Sequence, residues 1–212
     1  LHTAYRRQRQ MCIRDRQILQ DVSFKVNKGD FLTLIGPSGA GKSTILRLIA
    51  NLISANSGDI LYQEKNISSL NPVQYRREVS YCFQQPSLFG QTVRDNLIFP
   101  YEIRKVDVND KQIADLLNQV DLSADFLDKK ITALSGGEKQ RVALIRNIIF
   151  LPKILLLDEV TTGLDNQSKD IVHNLIKDVS EKGVTIIQVT HDQSEIDEAS
   201  NILRVKKGGI IE

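Results

Sequence analysis

A chain of 212 residues with 41% hydrophobic and 25% charged side chains has the make-up of one globular domain with room for a small subdomain, and not of a disordered chain. A formal net charge of +2 gives no reason to expect a nucleic-acid partner. The longest apolar runs, such as residues 154–157, fall far short of the ~20 residues that cross a bilayer, so any membrane role must go through another chain.

Two cysteines, Cys12 and Cys82, can form neither a disulfide framework nor a zinc site. Cys82 lies in an apolar, strand-like run and is expected to be buried packing, which fits a reducing compartment. The N-terminus is basic and has no apolar segment of the signal-peptide kind. Met11-Cys12-Ile13-Arg14-Asp15-Arg16 is what a transposon end used in sequencing libraries encodes in one frame. Residues 1–16 are therefore expected to be a library artefact, with a basic disordered arm as the alternative.

In chain order, residues 22–26 alternate apolar and polar side chains and predict a half-buried strand. A turn at 27–30 leads to an apolar strand at 31–35, a glycine-rich loop at 36–43 and a helix at 44–52. A short strand follows at 60–63, Asn71-Pro72 opens a helix to about Glu78, and residues 79–83 read as strand again. Ile113, Leu116, Leu117 and Val120 share one face of an amphipathic helix, and another helix runs from Ser135 to about Phe150. The uninterrupted run 154–157 predicts a strand buried on both faces of a parallel sheet. A helix lined by Ile171, Val172, Leu175, Ile176 and Val179, a strand at 184–189, a short helix from Gln193 and a strand at 202–205 complete the chain. Strands alternating with helices imply an α/β domain with a mainly parallel sheet. The mostly helical block 92–150 interrupts the alternation and is expected to be a subdomain.

Gly36-Pro37-Ser38-Gly39-Ala40-Gly41-Lys42-Ser43 fits GxxxxGK[ST] between a strand and a helix, the pattern of a phosphate loop. Glycines allow positive φ and close approach of the backbone, whose amides and following helix N-terminus favour an anion. Lys42 would bridge the β- and γ-phosphates and Ser43 would ligate Mg²⁺; Thr44 follows as a further nucleotide contact. An ordinary glycine turn with an exposed lysine is the bland reading, and the flanking strand and helix weigh against it.

Residues 154–159 end a buried strand in Asp158 and Glu159, at the strand end where open α/β sheets place ligands. Asp158 would hold Mg²⁺ through water, and Glu159 would act as general base toward the attacking water. A solvated acidic turn is the alternative for the pair in isolation. Leu134-Ser135-Gly136-Gly137-Glu138-Lys139-Gln140-Arg141 reads at once as a capping box, Ser135 with Glu138, and as a second anion site, because Gly136 and Gly137 bare a helix N-terminus.

This octapeptide resembles the signature of the ATP-binding cassette (ABC) ATPases, and the resemblance spans about residues 17–212. It implies a phosphate-loop NTPase core, an antiparallel β subdomain and a helical subdomain that carries the signature. It further implies a homodimer with two ATP molecules, each held between one subunit's phosphate loop and the other's Ser135, Gly136 and Gly137. By the same resemblance Gln84 (or its neighbour Gln85) touches Mg²⁺ and water, Asp165 belongs to the loop crossing the dimer interface, and His191 contacts the γ-phosphate. His173, on a helix, reads as surface or packing. The aromatic that stacks on adenine belongs upstream of the first clear strand; Tyr5 is a poor positional match and is not assigned.

Too few residues separate Lys42 from Ser135 for the coiled coils of the DNA-repair relatives, and one cassette rules out the tandem translation factors. A transporter subunit remains, cytoplasmic and peripheral on the inner face of the plasma membrane, driving an integral permease. Residues 80–100, together with 135–147 and 158–161, resemble the bacterial iron-export ATP-binding subunits, so iron or another metal is the expected cargo. An importer subunit for phosphate or amino acids, and a soluble nucleotide-dependent regulator, are the alternatives. The chain stops soon after Gly208-Gly209, which leaves room for a natural tail.

Overall fold

The computed structural model describes residues 2–6, 11–13, 16–207 and 209–211, with side chains for 19–207, 209 and 210. The expectation for residues 1–16 falls in part on residues 1, 7–10, 14 and 15, outside the described ones, and the side chain of Tyr5 is outside them too. The chain divides into two compact units, one of residues 1–81, 153–159 and 183–212, the other of residues 82–152 and 160–182.

In the first unit the strands are β1 (His2–Arg6), β2 (Met11–Ile13), β3 (Arg16–Leu19), β4 (Lys25–Asn27), β5 (Phe31–Ile35), β6 (Asp59–Tyr62), β7 (Lys65–Asn66), β8 (Val79–Cys82), β9 (Ile154–Asp158), β10 (Thr185–Val189), β11 (Ile202–Lys206) and β12 (Gly209–Ile211). A six-stranded sheet has the order β12-β11-β5-β10-β9-β8, and a four-stranded antiparallel sheet has the order β4-β1-β6-β7. Every residue of β9 and most of β5 and β10 are buried, as expected of parallel strands covered on both faces. The pairing sets their ends level. Val189 of β10 is opposite both Leu34 of β5 and Asp158 of β9, so the segments after Ile35, Asp158 and Val189 all leave the same edge of the sheet.

The expected strand at 22–26 keeps its alternation, with Val22 and Val26 buried and Phe24 half-buried. Only Lys25–Asn27 is laddered, because β1 pairs no further back than Lys25. Helix α1 (Lys42–Ile49) starts two residues earlier than expected and stops sooner, where Asn51 turns left-handed at φ 53°. It buries Ile45, Leu46, Leu48 and Ile49 in a cluster with Leu34, Leu156, Ile187 and Val189. Helix α2 (Pro72–Glu78) begins as expected: Pro72 starts it, and the Asn71 side chain accepts from the Val73 and Gln74 amides.

The second unit holds helices α3 (Val93–Glu102), α4 (Asp110–Gln119), α5 (Gly136–Ile148) and α6 (Asn166–Glu181), while α7 (Gln193–Glu198) belongs to the first unit. Helix α5 packs on α3, α4 and α6 and buries Val142, Leu144, Ile145 and Ile148. The expected apolar faces are present, with Ile113, Leu117 and Val120 of α4 and Val172, Leu175, Ile176 and Val179 of α6 buried. The sequence marks α3 only as part of a helical block. A Thr92–Asp95 capping box starts it, and it continues through Pro100. Cys82 is buried, and desolvation pushes its thiol up to about 12.

Candidate functional site

The loop after β5 has three left-handed glycines: Gly36 at φ 146°, Gly39 at 75° and Gly41 at 100°. A side chain on Gly36 would put its Cβ 1.9 Å from the Val205 carbonyl oxygen, so only glycine fits where the loop leaves the sheet. Gly41 is the N-cap of α1 and supplies no side-chain acceptor. The first-turn amides are thereby left for an anion. Lys42 is 4% exposed, and its Nζ donates to the carbonyls of Gly36 at 2.8 Å and Pro37 at 3.1 Å. Desolvation lowers its pKa, while the charges of Glu159 and Asp158 act to raise it.

Asp158, the last residue of β9, is 4% exposed and has both carboxylate oxygens engaged. Oδ1 accepts from the Ser43 hydroxyl at 2.7 Å and Oδ2 from the Tyr81 hydroxyl at 2.6 Å. Burial, and then the bond to Asp158, push the Tyr81 phenol above its ordinary range. Glu159 stands in the left-handed region at φ 51°, held by its amide donating to the Val189 carbonyl at 3.0 Å. That backbone costs a non-glycine residue about 1–2 kcal/mol and turns the chain sharply off the strand. One oxygen of its carboxylate, Oε1, lies 3.0 Å from His191 Nε2, just beyond β10. The first unit therefore brings together Lys42, Ser43, Asp158, Glu159 and His191 on one sheet edge. Tyr81 was not legible as a partner of Asp158; the only signal for it is its place in the strand before Gln84.

In the second unit, Gln84 is exposed directly after β8, as is Gln85. Ser135 caps α5: its hydroxyl accepts from the Glu138 amide at 3.2 Å, and Glu138 Oε2 accepts from the Ser135 amide at 2.6 Å. Lys129 sits 3.0 Å from the other oxygen of Glu138. Gly136 has open space where a Cβ would stand, whereas a Cβ on Gly137 would come 2.7 Å from Ser168 Oγ. Asp165 caps α6, accepting from the Ser168 amide at 2.8 Å and its hydroxyl at 2.9 Å. The amide bond, then the hydroxyl, hold its carboxyl below the usual range. The sequence reading missed this capping role, although Asp-x-x-Ser before an amphipathic run carries the signal. His173 is half-buried on α6.

A sheet with a phosphate loop after one strand, a carboxylate pair at the end of the next strand but one and a histidine just beyond the strand between them defines a phosphate-loop nucleotide hydrolase. Comparison with known proteins narrows the class. The family model described as ABC transporter matches residues 19–162. The chain is 45% identical over 193 residues to the "Probable iron export ATP-binding protein FetA" of Escherichia coli (strain K12), covering 91% of this chain and 86% of that one. A bacterial Atm1-family ABC exporter solved with ATP bound aligns with a TM-score of 0.89 at 28% identity, over 100% of this chain and 38% of that one. The dimeric post-hydrolysis state of the ATP-binding cassette MJ0796, bound to ADP and Pi, gives 0.88 at 26% identity, over 100% and 97%. The chain belongs to the ABC transporter family. Within it, the chain is an ATP-binding and ATP-hydrolysing subunit.

Proposed function

We propose that this subunit works as a homodimer on the inner face of the plasma membrane, where ATP hydrolysis drives a separate integral permease that exports iron or another metal. The grouping of Lys42, Ser43, Asp158, Glu159 and His191 on one sheet edge carries the enzymatic part of this reading. The backbone N–H groups of the 36–44 loop, Pro37 having none, and the Lys42 ammonium hold the phosphates. Glu159 takes a proton from the attacking water, and His191 orients that carboxylate and the γ-phosphate. Gln84, Ser135, Gly136, Gly137 and Asp165 take their roles, at the water and metal, across the dimer and at its interface, from the family resemblance.

The implied metal is Mg²⁺, which favours hard oxygen donors and is held by one or two carboxylates together with water and phosphate. The Ser43 hydroxyl and, through water, the Asp158 carboxylate 2.7 Å from it are donors of that kind, and Gln84 joins them by resemblance. Bound there, the ion would neutralise charge on the β- and γ-phosphates.

No helix among the described residues is long and apolar enough to cross a membrane. In this reading a partner supplies the pore, and the second unit offers it exposed apolar side chains: Phe83, Phe89, Phe99 and Ile103 are 38–46% exposed. The similarity to FetA supports a metal cargo. Glu159→Gln should bind ATP, lose turnover at least about 100-fold and accumulate as ATP-bound dimers in sedimentation. Hydrolysis at the normal rate would remove Glu159 from the mechanism. Vesicles containing this subunit and the permease that co-purifies with it should move iron outward with ATP; ATP-driven uptake of another solute would replace the cargo assignment.

A further inference from the structure

Both carboxylate oxygens of Asp158 are held by side chains of the first unit. Ser43, at the start of α1, donates to Oδ1, and Tyr81, on β8, donates to Oδ2. The Arg47 guanidinium lies near enough to the Tyr81 hydroxyl for its charge to act to lower the phenol's pKa, and Arg47 is four residues after Ser43 and so on the same face of α1. One helix face thus bears on the carboxylate twice, directly through Ser43 and, by the charge of Arg47, through the Tyr81 hydroxyl.

The Tyr81 ring is buried at 8% exposure, and a phenylalanine ring would fill the same space. Only the hydroxyl distinguishes the two. A carboxylate held at one oxygen can rotate about its Cβ–Cγ bond, and a buried oxygen left without a donor would turn toward any other that is available. With both oxygens held, Oδ1 stays facing Ser43. Arg47 adds to this, because a cation close to a hydroxyl polarises it into a stronger donor.

We infer that Tyr81 is a positioning residue for the metal, fixing the rotation of the Asp158 carboxylate with Arg47 as its support. This rests on the reading of Asp158 and Ser43 as the Mg²⁺ donors. A merely structural hydroxyl would change stability; a positioning hydroxyl changes metal affinity.

Mn²⁺ binding to the ADP-loaded protein, with ADP limiting and the free ion read by electron paramagnetic resonance, separates the two. Tyr81→Phe should weaken Mn²⁺ about three- to tenfold and raise the Mg²⁺ concentration for half-maximal hydrolysis by a like factor. Affinity for ADP in EDTA should stay at the wild-type value. Arg47→Gln, an exposed change that should not disturb folding, should shift the same two quantities in the same direction by roughly twofold. Asp158→Asn is the reference variant. If it loses Mn²⁺ while Tyr81→Phe and Arg47→Gln bind it as wild type does, the role of Tyr81 is overturned and that of Asp158 stands. Wild-type Mn²⁺ affinity in all three overturns both.

Discussion

Gly36 and Gly39 sit three residues apart in one loop and answer to different constraints. At Gly36 the backbone is left-handed and a Cβ would collide with the Val205 carbonyl; at Gly39 the backbone is left-handed but nothing lies within 4 Å. Gly36→Ala is therefore expected to lower stability by about 2–4 kcal/mol, the clash adding to the conformational cost, and Gly39→Ala by only about 1–2 kcal/mol. Denaturant unfolding of both variants checks this, and equal losses would show that β11 yields at Val205. The motif predicted that glycines belong in the loop, because phosphates need bare amides. It could not rank them, since the collision partner at Gly36 is almost the whole chain away in sequence. Glu159 makes the same point: its chemistry is written in the Asp-Glu pair, but its left-handed backbone and the Val189 bond that holds it exist only once β10 lies beside β9.

Among the elements, α5 starts with a cap that both the sequence and the structure describe in the same terms. Partial burial of Glu138 acts to raise its pKa, but the Ser135 amide and the Lys129 ammonium outweigh it and hold the carboxyl below its ordinary value. An acid with a lowered native pKa stabilises the fold fully above its unfolded pKa, and that contribution is lost as pH falls through the native one. Glu138→Gln should therefore melt lower than the wild type at neutral pH, and the gap should close below about pH 4.5. A gap that persists at pH 3 would mean that Glu138 acts through packing and not through its charge. Strands β5, β9 and β10 were legible because burial on both faces leaves a plain apolar run. Helix α3 was not resolved as an element: Pro100 breaks its pattern, and what holds it is tertiary. Asn96, fully buried, donates to the carbonyls of Phe89 and Thr92 and accepts from the Phe89 amide and from Arg146 of α5.

At the scale of the whole molecule, each chain carries two helix starts that we propose as anion sites, one at Lys42 and one at Gly136, in separate units. If each ATP lies between the first of one subunit and the second of its partner, inactive variants of the two halves must complement each other. Lys42→Ala and Ser135→Arg homodimers should each be inactive. Mixed and reassembled, half of the dimers would be mixed, each with one intact site of two, and activity should return to roughly a quarter of the wild-type value. No recovery, with mixed dimers confirmed by mass, would place both halves of the site on one chain.

The sequence alone determined the class of chemistry and its family, because a phosphate loop, an acidic strand end and a signature are each local: a few adjacent residues set the backbone and the charge. It also determined the alternation of strands and helices, since periodicity records which side of an element is covered. Only the tertiary structure decided that β10 separates the loop strand from the acidic strand, that their ends come level, and that Tyr81 and His191 reach Asp158 and Glu159. Those are facts of register and strand order, fixed by hydrogen bonds between segments tens of residues apart, and no local pattern encodes them.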